Sequence, residues 1–266
     1  MVNGVISNLQ KIPMPKLVLD GKKEAEKVAK FLEESEKLLG KSLLILQCDG
    51  HAEESIYVRL KREMGERLGV LVTVSFAKNK EELREMLADA NTDETVDGIL
   101  VQLPITGASK EETEQILYTI NPEKDIDGLN PKSRFIPAVV GAVERVLEIF
   151  NVDEEQTIVV VGAMGEVGKR LTLRLQKLGY QVTGLDKGDD LMSLKKYDVV
   201  IAATGVAGLI KGEMVDDGFI GIDLGYTNGD FSHDAFEKAL MITPVPGGVG
   251  PLTIVSLFES LSSIDQ

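Results

Sequence analysis

The 266-residue sequence predicts an α/β protein of two domains with a cleft between them. Short apolar runs of strand length alternate with helical stretches along the chain, which is typical of parallel β-α units. In the middle, residues 121–137 concentrate Pro, Gly, Asn and Asp without periodicity, which indicates a loop or hinge between two folded units. A glycine-rich turn follows an apolar strand in the second half, which indicates a Rossmann-like domain there.

The first half alternates helices and strands. Apolar residues at helical spacing predict helices, and short apolar runs bounded by turn residues predict strands. The predicted elements are a helix over 22–39, a strand over 43–47, a helix over 54–68, a strand over 70–76, a helix over 81–90 and a buried strand over 98–103.

The second half continues this alternation beyond the central loop. A segment rich in Pro and Gly, residues 243–251, interrupts it near the end. The predicted elements are a helix over 138–150, a strand over 157–161, a helix over 166–178, strands over 181–185, 198–204 and 219–224, and a terminal helix over 252–261.

Composition excludes several classes of protein. A formal net charge of −14 would repel a phosphate backbone, so we expect no nucleic-acid partner. No apolar run approaches the roughly 20 residues of a membrane span, and the N-terminus lacks a signal-peptide pattern, so we expect no membrane contact and a cytoplasmic location. With Cys48, His51 and His233 as the only cysteine and histidines, the sequence has no recognisable ligand set, and we predict no metal.

The motif GAMGEVG, residues 162–168, follows a predicted strand and opens a helix. Glycines let a backbone approach a pyrophosphate, and a helix N-terminus supplies unpaired N–H donors. Asp186 ends the next strand, where a carboxylate can accept from a ribose diol. These features predict a dinucleotide site, although the GxxGxxG spacing also fits a plain structural turn and Asp186 also fits a solvated turn.

Tyr57 and Lys61 are four residues apart in a predicted helix and therefore share one face. From spacing alone, a half-buried packing tyrosine and a surface lysine are favoured over a catalytic pair. Gln102 lies near the C-terminal end of a buried parallel strand, where ligands usually bind, and its amide needs a partner in a loop or a ligand. Asp125 and Asp127, in KDIDG beside the hinge, can meet ligand N–H groups or cap a turn.

Taken together, these segments resemble the bifunctional methylenetetrahydrofolate dehydrogenase/methenyltetrahydrofolate cyclohydrolase family. The similarity runs in order along nearly the whole chain, through LVLDGKKEAEKV, YVRLK, DGILVQLP, PEKDIDGLNP, TGVAGLIKGEMV and ITPVPGGVGPLTI. Because several of these motifs are long and specific and keep their order, the chain is identified as a member of this family.

The resemblance implies an N-terminal α/β folate domain, residues 1–135 completed by a C-terminal helix over 252–266, and a Rossmann-like NAD(P)-binding domain over 136–251. It implies oxidation of 5,10-methylenetetrahydrofolate to 5,10-methenyltetrahydrofolate with NAD(P)+, followed by hydrolysis to 10-formyltetrahydrofolate. The expected partners are a small-molecule folate substrate and, since homodimers are usual in the family, a second copy of the chain.

The resemblance also implies roles for individual residues. Carried over by motif, Lys61 would be the main acid/base residue and Gln102 would hydrogen-bond to it and tune it. Tyr57 would stack on the folate, and Asp127 would hold the pterin. The substrate-binding set implied by the motifs also contains Leu103, Pro104, Pro246, Gly247, Gly248, Val249 and Pro251. The implied cofactor-binding set is Gly162, Ala163, Met164, Gly165, Glu166, Val167, Asp186, Thr204 and Gly205.

Two segments depart from the family pattern. The family's glycine loop usually reads GRSxxVG, with Arg and Ser favouring a cofactor phosphate, whereas here those positions are Ala163 and Met164. Asp186 would repel a 2′-phosphate, so we expect NAD rather than NADP, with Lys187 partly offsetting the repulsion. The family's PCTP turn, which lies near the cofactor, reads PAVV here, residues 137–140, and so loses the Thr and the second proline.

Three other functions agree with parts of the sequence. Because the folate-side motifs are present while the cofactor side is altered, one is a cyclohydrolase with weak or no dehydrogenase activity. Another is a non-catalytic folate-binding protein, against which Lys61 and Gln102 argue, since binding alone needs no proton-transfer pair. The third is an unrelated NAD dehydrogenase with a small acid substrate, which requires the first-half motifs to be accidental.

Overall fold

The computed structural model describes residues 16–48, 50 and 53–264. His51, considered above as a metal ligand, lies outside these ranges. Within them the backbone forms two parallel β-sheets with helices packed around them, which confirms the predicted two-domain α/β fold. No helix in these ranges is long and apolar enough to cross a membrane.

Strands and helices alternate along the chain. The strands are β1 (Leu17–Val18), β2 (Ser42–Gln47), β3 (Leu71–Phe76), β4 (Gly98–Gln102), β5 (Thr157–Val161), β6 (Gln181–Leu185), β7 (Val199–Ala202), β8 (Ile220–Asp223) and β9 (Met241–Ile242). The α-helices are α1 (Gly21–Ser35), α2 (Ile56–Arg67), α3 (Lys80–Thr92), α4 (Lys110–Leu117), α5 (Ala138–Ile149), α6 (Glu166–Lys177), α7 (His233–Lys238) and α8 (Val249–Ser262). Short 3-10 helices cover Leu191–Lys196 and Gly212–Met214.

The first sheet has the strand order β3-β2-β4 in the described chain, and its strands run parallel. In its register Gln47, at the end of β2, pairs with Gln102, at the end of β4. Segments that follow parallel strands meet at the carboxyl edge of a sheet, where ligands usually bind. The segment leading into α2 and the segment after β4 therefore emerge side by side.

The second sheet has the order β1-β9-β8-β7-β5-β6, again with parallel pairing throughout the described strands. Its central strands are apolar and buried on both faces, as parallel sheets covered by helices require. The short strand β1 joins this sheet because the Leu17 N–H donates to the Leu240 carbonyl at 2.8 Å. The predicted domain boundaries place residues 17–18 in the first domain, whereas β1 pairs with β9 of the second sheet. Two residues are too few for periodicity to show which sheet they join.

Helix α8 joins the end of the chain to its beginning by packing against α1, α2 and α5. Its buried face includes Phe258 and Leu261. A Cβ added to Gly65 of α2 would lie 3.0 Å from the Phe258 ring, so glycine allows the two helices to approach this closely. The core that supports α2 therefore depends on the last helix of the chain.

Helices α4 and α7 have no counterpart in the sequence prediction, α1 ends at Ser35 rather than Leu39, and α8 begins earlier than predicted. Helix α4 is not predicted, because it is short and its start is defined by a capping box between Ser109 and Glu112 rather than by apolar periodicity. Helix α8 begins at Val249 rather than Leu252. Pro251 falls in its first turn, where the missing N–H costs no helical hydrogen bond.

Candidate active site

Lys61 and Gln102 form a direct hydrogen bond at the carboxyl edge of the first sheet. The Lys61 Nζ donates to Gln102 Oε1 at 2.9 Å, and Gln102 Nε2 donates to the Leu103 carbonyl at 2.7 Å. The second bond holds the amide with its oxygen facing the lysine. Lys61 is 9% exposed, so it is not one of the surface lysines.

Local sequence explains why Lys61 points inward. Ser55 caps α2, its hydroxyl accepting from the Val58 N–H at 3.3 Å. Gln47 holds this cap in turn, because its Oε1 accepts from the Ser55 N–H at 3.1 Å. With the start of the helix fixed, Val58 and Lys61 share its buried face.

The electrostatic surroundings of Lys61 favour its neutral form. Burial lowers the pKa of Lys61 below its ordinary value, and the negative charge of nearby Asp127 partly opposes this. Burial raises the pKa of Asp127 in turn, while the positive charge of Lys61 lowers it. The protonation of each group therefore depends on that of the other, and burial of this kind is one way in which a protein prepares a lysine for proton transfer.

The two aspartates of KDIDG have different surroundings. Asp125 is fully buried, and its Oδ2 accepts from the Asn130 N–H at 2.6 Å, which closes a turn. Burial raises the pKa of Asp125 to about 6. Asp127 instead interacts with Lys61. The turn-capping interpretation therefore applies to Asp125, whereas Asp127 belongs to the candidate active site.

Tyr57 contacts an aromatic residue of the other domain that no sequence motif identifies. The ring centroids of Tyr57 and Tyr226 lie 3.9 Å apart, with the ring planes tilted by 42°. Tyr226 follows β8 and is 53% exposed. Its neighbours in the sequence are typical of a loop, and only the arrangement of the two domains brings its ring to α2. The pair therefore spans the cleft.

The segment that leads into α8 packs against the start of α1. The Val245–Pro246 peptide bond is cis, as is Leu103–Pro104 after β4. The Gly21 N–H donates to the Gly247 carbonyl at 2.9 Å. A Cβ on Gly21 would clash with the carbonyl oxygen of Gly248, so the motif LVLDG ends in a glycine that this close contact requires.

The loop over 162–168 joins β5 to α6 at the carboxyl edge of the second sheet. A Cβ on Gly168 would clash with the carbonyl oxygen of Gly162, so glycine is needed for strand and helix to approach this closely. Gly165 caps α6 without a side-chain hydrogen bond. The N–H groups of the first helical turn are therefore open to an anionic ligand, and a dinucleotide pyrophosphate fits this cradle.

Asp186 contacts the glycine loop directly. Its Oδ2 accepts from the Met164 N–H and its Oδ1 from the Lys187 N–H, both at 2.7 Å. These backbone bonds, that of Lys187 first, lower the pKa of Asp186, so the carboxylate is ionised at neutral pH. Asp186 therefore supports the loop and also presents a negative charge where β6 ends.

Thr204 and Gly205 follow β7 and are held by Asp230, which no sequence motif identifies. Asp230 Oδ2 accepts from the Thr204 N–H and hydroxyl at 2.7 Å each, and from the Gly205 N–H at 3.1 Å. A buried carboxylate in a loop gives no periodic signal, so only the three-dimensional contact reveals it. The segment 224–230 thus carries Tyr226 toward the folate side and Asp230 toward the cofactor side.

The structure therefore places the candidate residues in three groups. The first group lies at the first sheet and consists of Lys61 with Gln102, Leu103 and Asp127 near it. Tyr57 lies on the same helix as Lys61. The predicted residues at the edge of the second sheet are Gly162, Ala163, Met164, Gly165, Glu166, Val167, Asp186, Thr204 and Gly205. The segment Pro246–Pro251 packs on α1 and begins α8.

This fold, with a dinucleotide cradle in one domain and an enclosed lysine in the other, defines a two-domain α/β protein built for a cofactor and a second ligand. The chain belongs to the tetrahydrofolate dehydrogenase/cyclohydrolase family, which confirms the resemblance noted in its sequence. Residues 19–127 match the description "Tetrahydrofolate dehydrogenase/cyclohydrolase, catalytic domain". Residues 137–265 match "Tetrahydrofolate dehydrogenase/cyclohydrolase, NAD(P)-binding domain".

Relatives of known name cover nearly the whole chain. The bifunctional protein FolD of Mycoplasmopsis synoviae is 33% identical in an alignment of 275 positions, gaps included, which covers 93% of this chain and 99% of that protein. The bifunctional FolD methylenetetrahydrofolate dehydrogenase/cyclohydrolase of Campylobacter jejuni superposes with a TM-score of 0.84 at 29% identity, covering 94% and 98% of the two chains. The FolD of Trypanosoma brucei, solved with NADP cofactor and inhibitor, gives 0.84 at 28% identity, covering 93% and 97%.

Proposed function

We propose that this chain oxidises 5,10-methylenetetrahydrofolate to 5,10-methenyltetrahydrofolate with NAD(P)+ and hydrolyses the product to 10-formyltetrahydrofolate. The observation that carries the proposal is the enclosed Lys61, hydrogen-bonded to Gln102 and adjacent to Asp127. Burying a lysine costs free energy, and groups whose pKa is shifted in this way cluster at functional sites. Membership of the family and the name of the Campylobacter relative support the same pair of reactions.

In the oxidation step, the protein has to align two ligands that different domains hold. When bound, a nicotinamide dinucleotide would supply the acceptor for the hydride of the one-carbon bridge. The loop over 162–168 and the residues Thr204 and Gly205 would hold the dinucleotide, while Tyr57 and Asp127 would hold the pterin. This step needs orientation and a dry cleft more than an acid, so its rate depends on how the two domains face each other.

In the hydrolysis step, water attacks the cationic methenyl carbon. Lys61, whose pKa is lowered by burial, accepts a proton from the attacking water in its neutral form. The resulting ammonium returns a proton to the ring nitrogen as the carbon–nitrogen bond breaks, and the hydroxyl of the intermediate loses its remaining proton to solvent as the formyl carbonyl forms. Gln102 keeps the amine in place, because its Oε1 accepts from Nζ while its own nitrogen is held by the Leu103 carbonyl.

We propose that the enzyme prefers NAD to NADP. The ionised Asp186 can accept from a ribose diol and repels a 2′-phosphate. Neither Ala163 nor Met164 has a side chain that donates hydrogen bonds to a phosphate. The positive charge of Lys110, from α4, acts on Asp186 and weakens the repulsion, so the preference is a ratio rather than a complete exclusion of NADP.

A cyclohydrolase with weak or no dehydrogenase activity is the second candidate function. It is favoured by Ala163 and Met164, which provide no side-chain contact to a cofactor phosphate, and by Val139 and Val140, which stand where the family's PCTP turn has its Thr and second Pro. The groups proposed for hydrolysis are all on the folate side, so this activity does not depend on those positions.

We also propose that the protein is a homodimer. The resemblance to a family of homodimers supports this, and Leu173 on α6 and Leu178 directly after it are exposed apolar residues that a second copy could cover. Light scattering of the purified protein tests it. A mass of two chains supports the dimer, and the mass of one chain contradicts it.

The proposed function is tested by following the two steps separately. The oxidation is measured from methylenetetrahydrofolate with NAD+ and, in parallel, with NADP+. The hydrolysis is measured from methenyltetrahydrofolate added directly, against its spontaneous rate in the same buffer. Both reactions, with NAD+ the better oxidant, agree with the proposal. Hydrolysis without oxidation selects the second candidate, and folate binding without either reaction contradicts both.

A further inference from the structure

Arg170 connects the helix behind the glycine loop to the loop that carries Asp127. It lies in the second turn of α6, in the second domain. Its Nη1 donates to the Gly128 carbonyl at 3.0 Å, and its Nη2 donates to the Leu129 carbonyl at 2.6 Å. Because these two residues directly follow Asp127, one guanidinium holds the backbone beside the candidate active site.

The same guanidinium is tied to the first residue of α6. Glu166 Oε1 accepts from Arg170 Nη2 at 3.0 Å and from Nε at 3.3 Å. Glu166 begins the helix whose N-terminus faces the glycine loop. The cradle for the dinucleotide and the segment after Asp127 are therefore the two ends of one continuous series of contacts.

The turn that follows Asp127 is enclosed by the backbone of residues 136–137. Gly128 has a φ of 64°, and a Cβ there would lie 2.7 Å from backbone atoms of residues 136–137. The carbonyl that Arg170 holds therefore belongs to a tightly enclosed turn. The charge of Arg170 also lowers the pKa of Asp127, against the larger effect of burial.

We infer that Arg170 is a positioning residue that couples dinucleotide binding at the glycine loop to the placement of Asp127. The inference rests on the proposed function. Oxidation requires the one-carbon bridge, held from the first domain, to face a nicotinamide held by the second. The proton transfers of hydrolysis use Lys61 and Gln102, which both lie in the first domain. Loss of Arg170 therefore impairs oxidation more than hydrolysis.

Arg174 provides a matched control on the same helix. It lies one turn after Arg170, and its Nε donates to Glu144 Oε1 on α5 at 2.6 Å. This bond joins two helices and does not involve the Asp127 segment. The two arginine side chains are 20% and 30% exposed, so Arg170→Gln and Arg174→Gln remove similar groups from different contacts.

Steady-state kinetics of both steps at saturating folate provide the first test. In Arg170→Gln, kcat for oxidation falls about tenfold while kcat for hydrolysis changes less than about threefold, because misalignment affects the step that needs both domains. Arg170→Lys recovers part of the loss, since an ammonium can reach one of the two carbonyls. Arg174→Gln has the same kcat as the wild type in both steps. Equal losses in both steps of Arg170→Gln, or no loss of oxidation, overturn the inference.

Hydrogen exchange separates a failure of this inference from a failure of the proposed function, because it needs no turnover. On addition of NAD+ or NADP+, exchange of the amides of residues 125–130 slows in the wild type and in Arg174→Gln, and does not slow in Arg170→Gln. If neither dinucleotide slows exchange in the wild type, the coupling is absent and the inference is wrong. If exchange slows while the wild type catalyses neither reaction, the coupling stands and the proposed function is wrong.

Discussion

The rings of Tyr57 and Tyr226 lie with their centroids 3.9 Å apart and so join α2 of the first domain to the segment after β8 of the second. A folate that stacks on Tyr57 lies at this contact. Because an aromatic pair contributes about 0.5–1.5 kcal/mol beyond area burial, Tyr226→Ala should raise KM for the folate about three- to tenfold. We expect kcat to change little and Tyr226→Phe to match the wild type.

Tyr118→Ala is the control for Tyr226→Ala, because Tyr118 is a comparably exposed tyrosine, at 52% against 53%, at the end of α4. Steady-state kinetics of hydrolysis with varied methenyltetrahydrofolate measure the effect. An unchanged KM in Tyr226→Ala would show that the ring contact is incidental to folate binding.

We expect the carboxylate of Asp186 to determine whether NAD+ or NADP+ is the better cofactor. Removing its carboxylate removes the acceptor for a ribose diol and the repulsion of a 2′-phosphate. In Asp186→Ser the ratio of kcat/KM with NAD+ to kcat/KM with NADP+ should therefore fall about tenfold or more. Asp217→Ser makes the same change of net charge at an exposed site and should leave the ratio unaltered. A ratio that stays constant in Asp186→Ser contradicts the assigned role.

We expect the buried carboxyl group of Asp125 to make the free energy of unfolding depend on pH. Its pKa is about 6 in the fold, and an unperturbed aspartate has a pKa of about 3.9. A raised pKa means that the contribution of Asp125 to stability is fully present below the unfolded value and is lost as the pH rises through the folded value. Relative to Asp125→Asn, the wild-type free energy of unfolding should fall by about 2 kcal/mol between about pH 4.5 and about pH 7.5.

Urea unfolding of both proteins at several pH values measures this difference. Asp216→Asn, at an exposed position, controls for the loss of one carboxylate. Its free energy of unfolding should change with pH in parallel with that of the wild type. Parallel curves for Asp125→Asn and the wild type would mean that the buried carboxyl group is not protonated more easily in the fold.

Sequence motifs locate those parts of the site that lie within one supersecondary unit, in which the elements follow one another along the chain. The end of an apolar strand marks Gln102 as a candidate, whereas the helix repeat only places Lys61 on the same face as Tyr57, and the family motif assigns Lys61 its role. The glycine loop is recognisable because its strand, turn and helix are consecutive. The motifs do not show that the Lys61 side chain points inward. This direction depends on the cap at Ser55 and its contact with Gln47, which lies eight residues earlier on another element and which periodicity does not encode.

The residues that motifs miss act between distant segments. Tyr226, Asp230 and Arg170 lie in a loop or on an amphipathic helix, where their residue types are ordinary. Each is identified by a partner far away in the sequence, such as the Gly128 carbonyl for Arg170. The short strand β1 is missed for a similar reason, because its pairing with β9 rather than its own two residues defines it.

The most direct test of the central claim is the rate of methenyltetrahydrofolate hydrolysis by Lys61→Met, compared with Lys30→Met, which replaces an exposed lysine on α1. Because general acid–base catalysis contributes about 10²–10⁴-fold, the account predicts that Lys61→Met loses hydrolysis by about a hundredfold or more while still binding the folate, and that Lys30→Met equals the wild type. A Lys61→Met protein that hydrolyses the substrate within about threefold of the wild-type rate would contradict it, since an effect that small is below any general acid–base contribution.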